Sequence, residues 1–264
     1  MNARFASMSK RRKFIITAFI LSLGFVGVQF LGDQYKFLAI GGLSILTAVL
    51  FAWSLIEGLG RNMTLVSLIL PSLFTLGVGL FWFLLPSNIF LRLPLVIVYG
   101  LGIFALVSSQ NIFVVAAVTK SIPLLRTARG IGFVLTLLTS FLIFDAIISL
   151  RIWFLLTALL TGASAFPIFL QGLWQIPLEI RPSRQLLRTS LIFSVIVAEL
   201  TLSLYFWPVT VAVGSLFLTV AVYILLGLGQ SLFESRLFAQ TVREYLVRAA
   251  AVLVGLFLGT RWGA

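Results

Sequence analysis

The stretch IGFVLTLLTSFLIFDAIISLRIWFLLTALLTGASAFPIFLQGLW, residues Ile131 to Trp174, decides the fold. It carries only two charges, Asp145 and Arg151. As a single helix it would be roughly 66 Å long, about twice the hydrocarbon thickness of a bilayer. It must therefore turn, and Arg151 near its middle marks the place. Two antiparallel spans follow, Ile131 to Leu150 and Ile152 to Trp174. The apolar residues run continuously instead of alternating, which selects membrane helices over the strands of a barrel.

The same reading extends outward in both directions. The run Ser190 to Gly227 turns at Pro208, beside Trp207, into spans Ser190–Trp207 and Val209–Gly227. Earlier runs at Phe14–Leu31, Phe37–Ile56, Met63–Leu85 and Pro94–Val118, and a last one at Leu246–Trp262, are each long enough to cross. Arg248 can snorkel from the start of the last one. Of the whole chain, 61% is hydrophobic and 10% charged, against roughly 25% charged residues in a soluble domain. Lipid is the solvent that composition demands. The expected fold is all-α: a polytopic transmembrane helical bundle of about nine spans, with residues 14–262 as one transmembrane domain behind a basic tail at 1–13.

Basic residues orient the bundle. With the N-terminus in the cytoplasm, the outer stops hold only Lys36, Arg92, Arg151 and Arg261, and every other one of the 19 Lys and Arg residues falls on the cytoplasmic side. This positive-inside bias predicts a cytoplasmic N-terminus and a C-terminus outside. The basic N-terminal segment precedes an apolar run without a small-residue cleavage site, so it reads as a retained first span. The net charge of +12 lies along one face, which fits anionic lipid headgroups and not nucleic acid. Arg181, Arg184 and Arg188 form the clearest anionic-lipid contact, on a short helix that Pro182 could open. A segment at about 230–248 reads as a cytoplasmic amphipathic helix, or equally as a plain linker into the last span. Ser231 and Glu234 there resemble a capping box, and Glu244 and Arg248 make an i,i+4 pair.

The chain has no cysteine and no histidine, which removes disulfides, thiol chemistry, and His or Cys metal and haem sites. No cofactor is expected, phosphate loops and nucleophile elbows are absent, and no loop is long enough for a soluble catalytic domain. Enzymatic activity is the less favoured class. Polar groups at membrane depth are the remaining signal. Glu199, near the middle of its span, must be neutral or partnered. Ser215 and Thr219, with Tyr223, form a stripe on the next helix that brackets its depth, and Gln110 and Asn111 interrupt the fourth span. These five, Glu199, Gln110, Asn111, Ser215 and Thr219, are the candidate substrate or ion site, with interhelical hydrogen bonding as the structural alternative. Pro167 frees the carbonyl of Ala163. Asp145 is expected to pair with Arg151 or Arg92. Ala251, Gly255 and Gly259 form a small-residue packing face in the last span, docking on its own bundle or on a second copy.

Three stretches, LPSLFTLGVGLFWFLLP (Leu70–Pro86), AELTLSLYFWPV (Ala198–Val209) and TVREYLVRAAAVLVGLFLGTRWG (Thr241–Gly263), resemble uncharacterised bacterial multi-pass membrane proteins. The resemblance implies a bacterial plasma-membrane location and no activity. Two functions stay open: a small secondary transporter or permease with Glu199 as its responsive group, or a non-catalytic membrane subunit or scaffold within a homo- or hetero-oligomer.

Overall fold

The computed structural model of the chain describes residues 10–28, 31, 33–59, 65–85, 89–119, 124–179 and 181–260. Arg4, Arg61, Lys120 and Arg261 of the charge pattern lie outside the described residues. All regular structure among the described residues is helical: α1 (Lys10–Val28), α2 (Lys36–Leu59), α3 (Ile69–Leu84), α4 (Ile89–Thr119), α5 (Leu125–Ser149), α6 (Phe154–Trp174), α7 (Arg184–Tyr205), α8 (Val211–Phe233) and α9 (Ala239–Gly259), with short 3₁₀ turns at Asp33–Tyr35 and Leu65–Leu68. Each expected span coincides with one helix. Seven are long and apolar enough to cross a membrane, starting with Lys36–Leu55 and ending with Val211–Phe233. Of the nine expected spans, seven meet that measure among the described residues, and the two at the ends fall outside it because of their charges. The first four residues of α1 are all basic, and α9 carries Arg243, Glu244 and Arg248 in its first half.

The chain divides into two compact units, Met1–Leu135 and Thr136–Ala264, with α5 crossing the division. In the first, α1 to α4 pack around an aromatic centre. Phe25 lies 4.8 Å from Tyr99 and 5.3 Å from Trp82 between ring centroids, and Phe74 stacks on Tyr99. A hydroxyl chain crosses three helices there: Thr47 meets Thr75 at 3.0 Å, and Thr75 meets Tyr99 at 3.1 Å. With no water in hydrocarbon, each polar atom must find such a partner or bond its own helix.

In the second unit, α6 and α7 form the closest helix pair. Gly162 permits it: a Cβ there would sit 3.0 Å from the Cβ of Ala198 and 3.3 Å from the carbonyl oxygen of Ser194. Thr161 donates to Thr201 at 3.0 Å beside that contact, and Phe169 meets Phe193 edge-on further along. Both long apolar runs break where expected. At the α5–α6 turn Arg151 takes φ 47°, a left-handed conformation that ordinarily favours glycine. The α7–α8 turn runs from Phe206 to Thr210, through Pro208.

The polar stretch after α8 does not form one amphipathic helix. Ser231 is still inside α8 and donates to the carbonyl of Gly227 at 2.8 Å, so the expected capping box is absent. Glu234 is the α8 C-cap, and α9 runs unbroken from Ala239. The expected pair of Glu244 with Arg248 is present, at 3.6 Å.

The Gly162 contact is with backbone as well as side chain, so it relaxes poorly. Gly162→Val is expected to destabilise the folded protein by about 1–3 kcal/mol, read as a fall in the midpoint of thermal unfolding in detergent. Gly42→Ala, exposed in α2 with nothing within 4 Å of the new Cβ, serves as the control and should leave the midpoint unchanged or slightly raised.

Candidate functional site

Because α6 and α7 run antiparallel in the register fixed by Thr161 and Thr201, the α5–α6 and α7–α8 turns end at the same level. Between them opens a cleft of about 910 Å³, lined by Ile148, Arg151, Thr157, Thr201, Tyr205, Trp207 and the first turn of α8 from Thr210. Arg151 is its only charged residue and is solvent-exposed. Thr210 caps α8, its hydroxyl accepting from the amide of Val213 at 3.4 Å. Trp153 and Phe206 are largely exposed on the same turns. Trp207 donates from Nε1 to the Thr260 hydroxyl at 3.0 Å, tying the turn to the end of α9. A ring of Trp, Tyr and Phe at one helix end is the usual mark of the membrane interface.

Just below the cleft, Ser215 donates to the Asp145 carboxylate at 3.0 Å, joining α8 to α5. Asp145 is 8% exposed and Ser215 fully buried. The expected partners of Asp145 are therefore corrected. Among the described residues it bonds a hydroxyl on a neighbouring helix, while the Arg92 guanidinium lies over the Trp82 ring.

The expected grouping around Glu199 is also corrected. Glu199 is exposed on the same side of α7 as Leu191 and Val195, in helical register with them. It lines none of the three described cavities. Ser215 turns to Asp145 instead, and Thr219 donates to the Ser215 carbonyl of its own helix at 2.8 Å. Tyr223 accepts from Arg248. The cause is rotational: the α7 face that meets α6 is fixed by Ser194, Ala198 and Thr201, and Glu199 is turned away from that stripe. Gln110 and Asn111 belong to the first unit. There Gln110 is fully buried in α4, with no hydrogen-bond partner for either amide atom among the described residues, and Asn111 is half-buried.

Arg181, Arg184 and Arg188 are exposed, at and just before the first turns of α7. Ser183 caps that helix and Pro182 precedes the cap, so the triplet begins α7 itself instead of a separate short helix. Cations at a helix N-terminus oppose the macrodipole. On α9, Ala251 and Gly255 are exposed, and a Cβ at Gly255 would meet nothing within 4 Å. The small-residue face therefore does not dock α9 within its own bundle. α9 instead turns Leu256 and Thr260 inward. Gly259 ends the helix.

Sequence reasoning missed an amide cluster. Gln171 in the last turn of α6 and Gln175 at its C-cap are fully buried, and Gln175 donates to Gln171 at 3.1 Å. Gln230 of α8 donates to the Gly172 carbonyl at 3.2 Å. Nε2 of Gln171 and the hydroxyl of Ser190 are enclosed without a partner among the described residues. The i,i+4 spacing of the glutamines on an apolar span was the available signal.

The model of a family described as "Protein of unknown function (DUF5656)" matches residues 16–259. The chain belongs to this family. Neither a curated protein nor a solved structure matches it. The DUF5656 chain is thus a helical multi-pass membrane protein of an uncharacterised family, as the resemblance of its three stretches implied.

Removing the Ser215 hydroxyl strips a donor from a buried carboxylate. In the DUF5656 chain Ser215→Ala should cost about 1 kcal/mol of stability, since interhelical bonds in membranes rarely exceed ~1.7 kcal/mol. Reversible unfolding in mixed micelles would read this, and an unchanged midpoint would show the bond to be dispensable.

Proposed function

We propose that this DUF5656 protein is a non-catalytic scaffold subunit of the bacterial plasma membrane that self-associates through α7 and α9. One observation carries the reading: Glu199 stands on the outward stripe of an apolar helix, with no intramolecular partner among the described residues. A charged or polar side chain facing acyl chains costs a few kcal/mol, so a protein surface that meets it gains what lipid forfeits. A second copy is the occupant because the face is self-complementary. Ser203, one turn on, is exposed on the same side. An apolar groove of about 160 Å³ next to it, lined by Ile196 and Leu200 of α7 and by Val252 and Leu253 of α9, runs over α8, and α9 adds its exposed Ala251 and Gly255. A two-fold axis along the membrane normal beside α7 brings each Glu199 to the other copy's Glu199 at the same depth, with Ser203 about 6 Å along the helix.

Within this reading the N-terminus is cytoplasmic, all nine helices cross, the C-terminus is outside, and Arg181, Arg184 and Arg188 rest on anionic headgroups of the inner leaflet; the asymmetric placement of Lys and Arg supports it. A permease is favoured only by the enclosed amides of Gln110 and Gln171.

The natural absence of cysteine makes the test clean. Val195→Cys supplies a single thiol on the Glu199 stripe, and oxidation in native membranes should yield a covalent dimer. Leu159→Cys, exposed on α6, should not. Adding Glu199→Leu to Val195→Cys should cut the yield roughly three- to tenfold, the worth of a membrane hydrogen bond. A monomeric Val195→Cys protein, or a yield indifferent to residue 199, contradicts the proposal.

A further inference from the structure

The cleft at the α5–α6 and α7–α8 turns is not needed for self-association, and its chemistry points elsewhere. Three features converge there. Its single charge is the Arg151 guanidinium, with no ion-pair partner among the described residues. Guanidinium presents paired donors that match the oxygens of phosphate and carboxylate. Beside it begins α8, a helix of 23 residues. Its opening amides lack intrahelical acceptors, and its dipole favours a negative charge. The Thr210 hydroxyl already accepts from Val213, so its own proton remains to be donated.

Thr157 and Thr201 also line the cleft, with hydroxyls that donate to backbone carbonyls at 3.3 Å and 2.8 Å, and the remaining lining is largely apolar or aromatic, through Ile148, Leu204, Tyr205, Trp207 and Val209. A cleft of about 910 Å³ lies at the upper end of what small-molecule sites occupy, more room than an inorganic anion fills. Its position among interfacial aromatics places it where headgroups meet acyl chains. The backbone adds a further observation. Arg151 holds φ 47° in a tight turn, where glycine would serve without strain. Glycine could therefore replace Arg151 without backbone strain, which removes the side chain and leaves the turn.

We infer that this cleft binds an amphiphile with an anionic phosphate or carboxylate headgroup, the anion held between Arg151 and the N-terminus of α8 and the chain lying along Tyr205 and Trp207. The site is separate from the α7–α9 face, so either assignment can fail without the other.

The test uses the full-length protein in detergent micelles, with native mass spectrometry counting retained adducts. Three probes are titrated: dioctanoyl-phosphatidylglycerol, dioctanoyl-phosphatidylcholine and inorganic phosphate. We expect phosphatidylglycerol to be retained in about one-to-one ratio, and at least tenfold more tightly than either of the others. Arg151→Gln should weaken it about tenfold, the usual worth of a charge-assisted bond. Arg151→Lys should recover part of the affinity, and Arg236→Gln, an exposed arginine beyond the other end of α8, should change nothing. Arg151→Gly separates binding from folding, since it should keep or raise the thermal midpoint while losing the adduct. Retention by Arg151→Gln equal to that of the natural chain overturns the inference. So does inorganic phosphate binding as tightly as the lipid, because a free anion would then suffice.

Discussion

The structure depends on one constraint: a polar atom inside hydrocarbon has no water to turn to, so each must be bonded by helix or neighbour. Most hydroxyls here answer within their own helix. Ser140 donates to the Thr136 carbonyl at 2.8 Å, Ser194 to Leu191 at 2.8 Å and Ser231 to Gly227 at 2.8 Å. Such groups are polar by composition and silent by geometry. A few reach a neighbouring helix as well as their own backbone and so tie helices together, as Thr47 and Thr75 do with Tyr99 in one unit, and Thr161 with Thr201 and Ser215 with Asp145 in the other. What is left over, Glu199 outside and Gln110 and Gln171 inside, is where the chain departs from a plain bundle.

Close approach supplies the rest. Gly162 lets α7 lie on α6, and the resulting register brings both turns of the second unit to a common level. Gly172 and Gly229 do the same for α8, receiving Leu226 and the Leu173 and Phe193 side chains against their bare backbone. The Arg151 cleft is a consequence of this register. Two short turns leave a space that neither has the side chains to fill, and the one long charged side chain at its edge gives that space a preference for anions.

The helices were legible in the sequence because length and apolarity alone dictate them, and Arg151 and Pro208 announced the two breaks. Partnership at a given depth was not legible: counting about 1.5 Å per residue set Ser215 beside Glu199, and it meets Asp145 instead. Nor was rotation about the helix axis. α7 carries polar residues on two sides, Ser190, Ser194 and Thr201 inward and Glu199 and Ser203 outward, so polarity alone did not say which side faces in, and Glu199 was assigned inward when the positions that meet α6 leave it outside. The same ambiguity hid the outward set of Ala251 and Gly255, and it made Asp145 look like an interfacial ion pair instead of the acceptor for Ser215. The buried glutamines were missed because amides near a span's end read as interfacial.

Counting subunits in a dilute bilayer tests the central claim most directly. Fluorescently tagged protein is reconstituted at decreasing protein-to-lipid ratio and bleached one molecule at a time. The account requires two-step bleaching that persists under dilution for the natural chain and gives way to single steps, at several-fold lower dilution, for Glu199→Leu. Single-step bleaching of the natural chain at every density would mean that Glu199 meets lipid alone, and the assembly face would not exist.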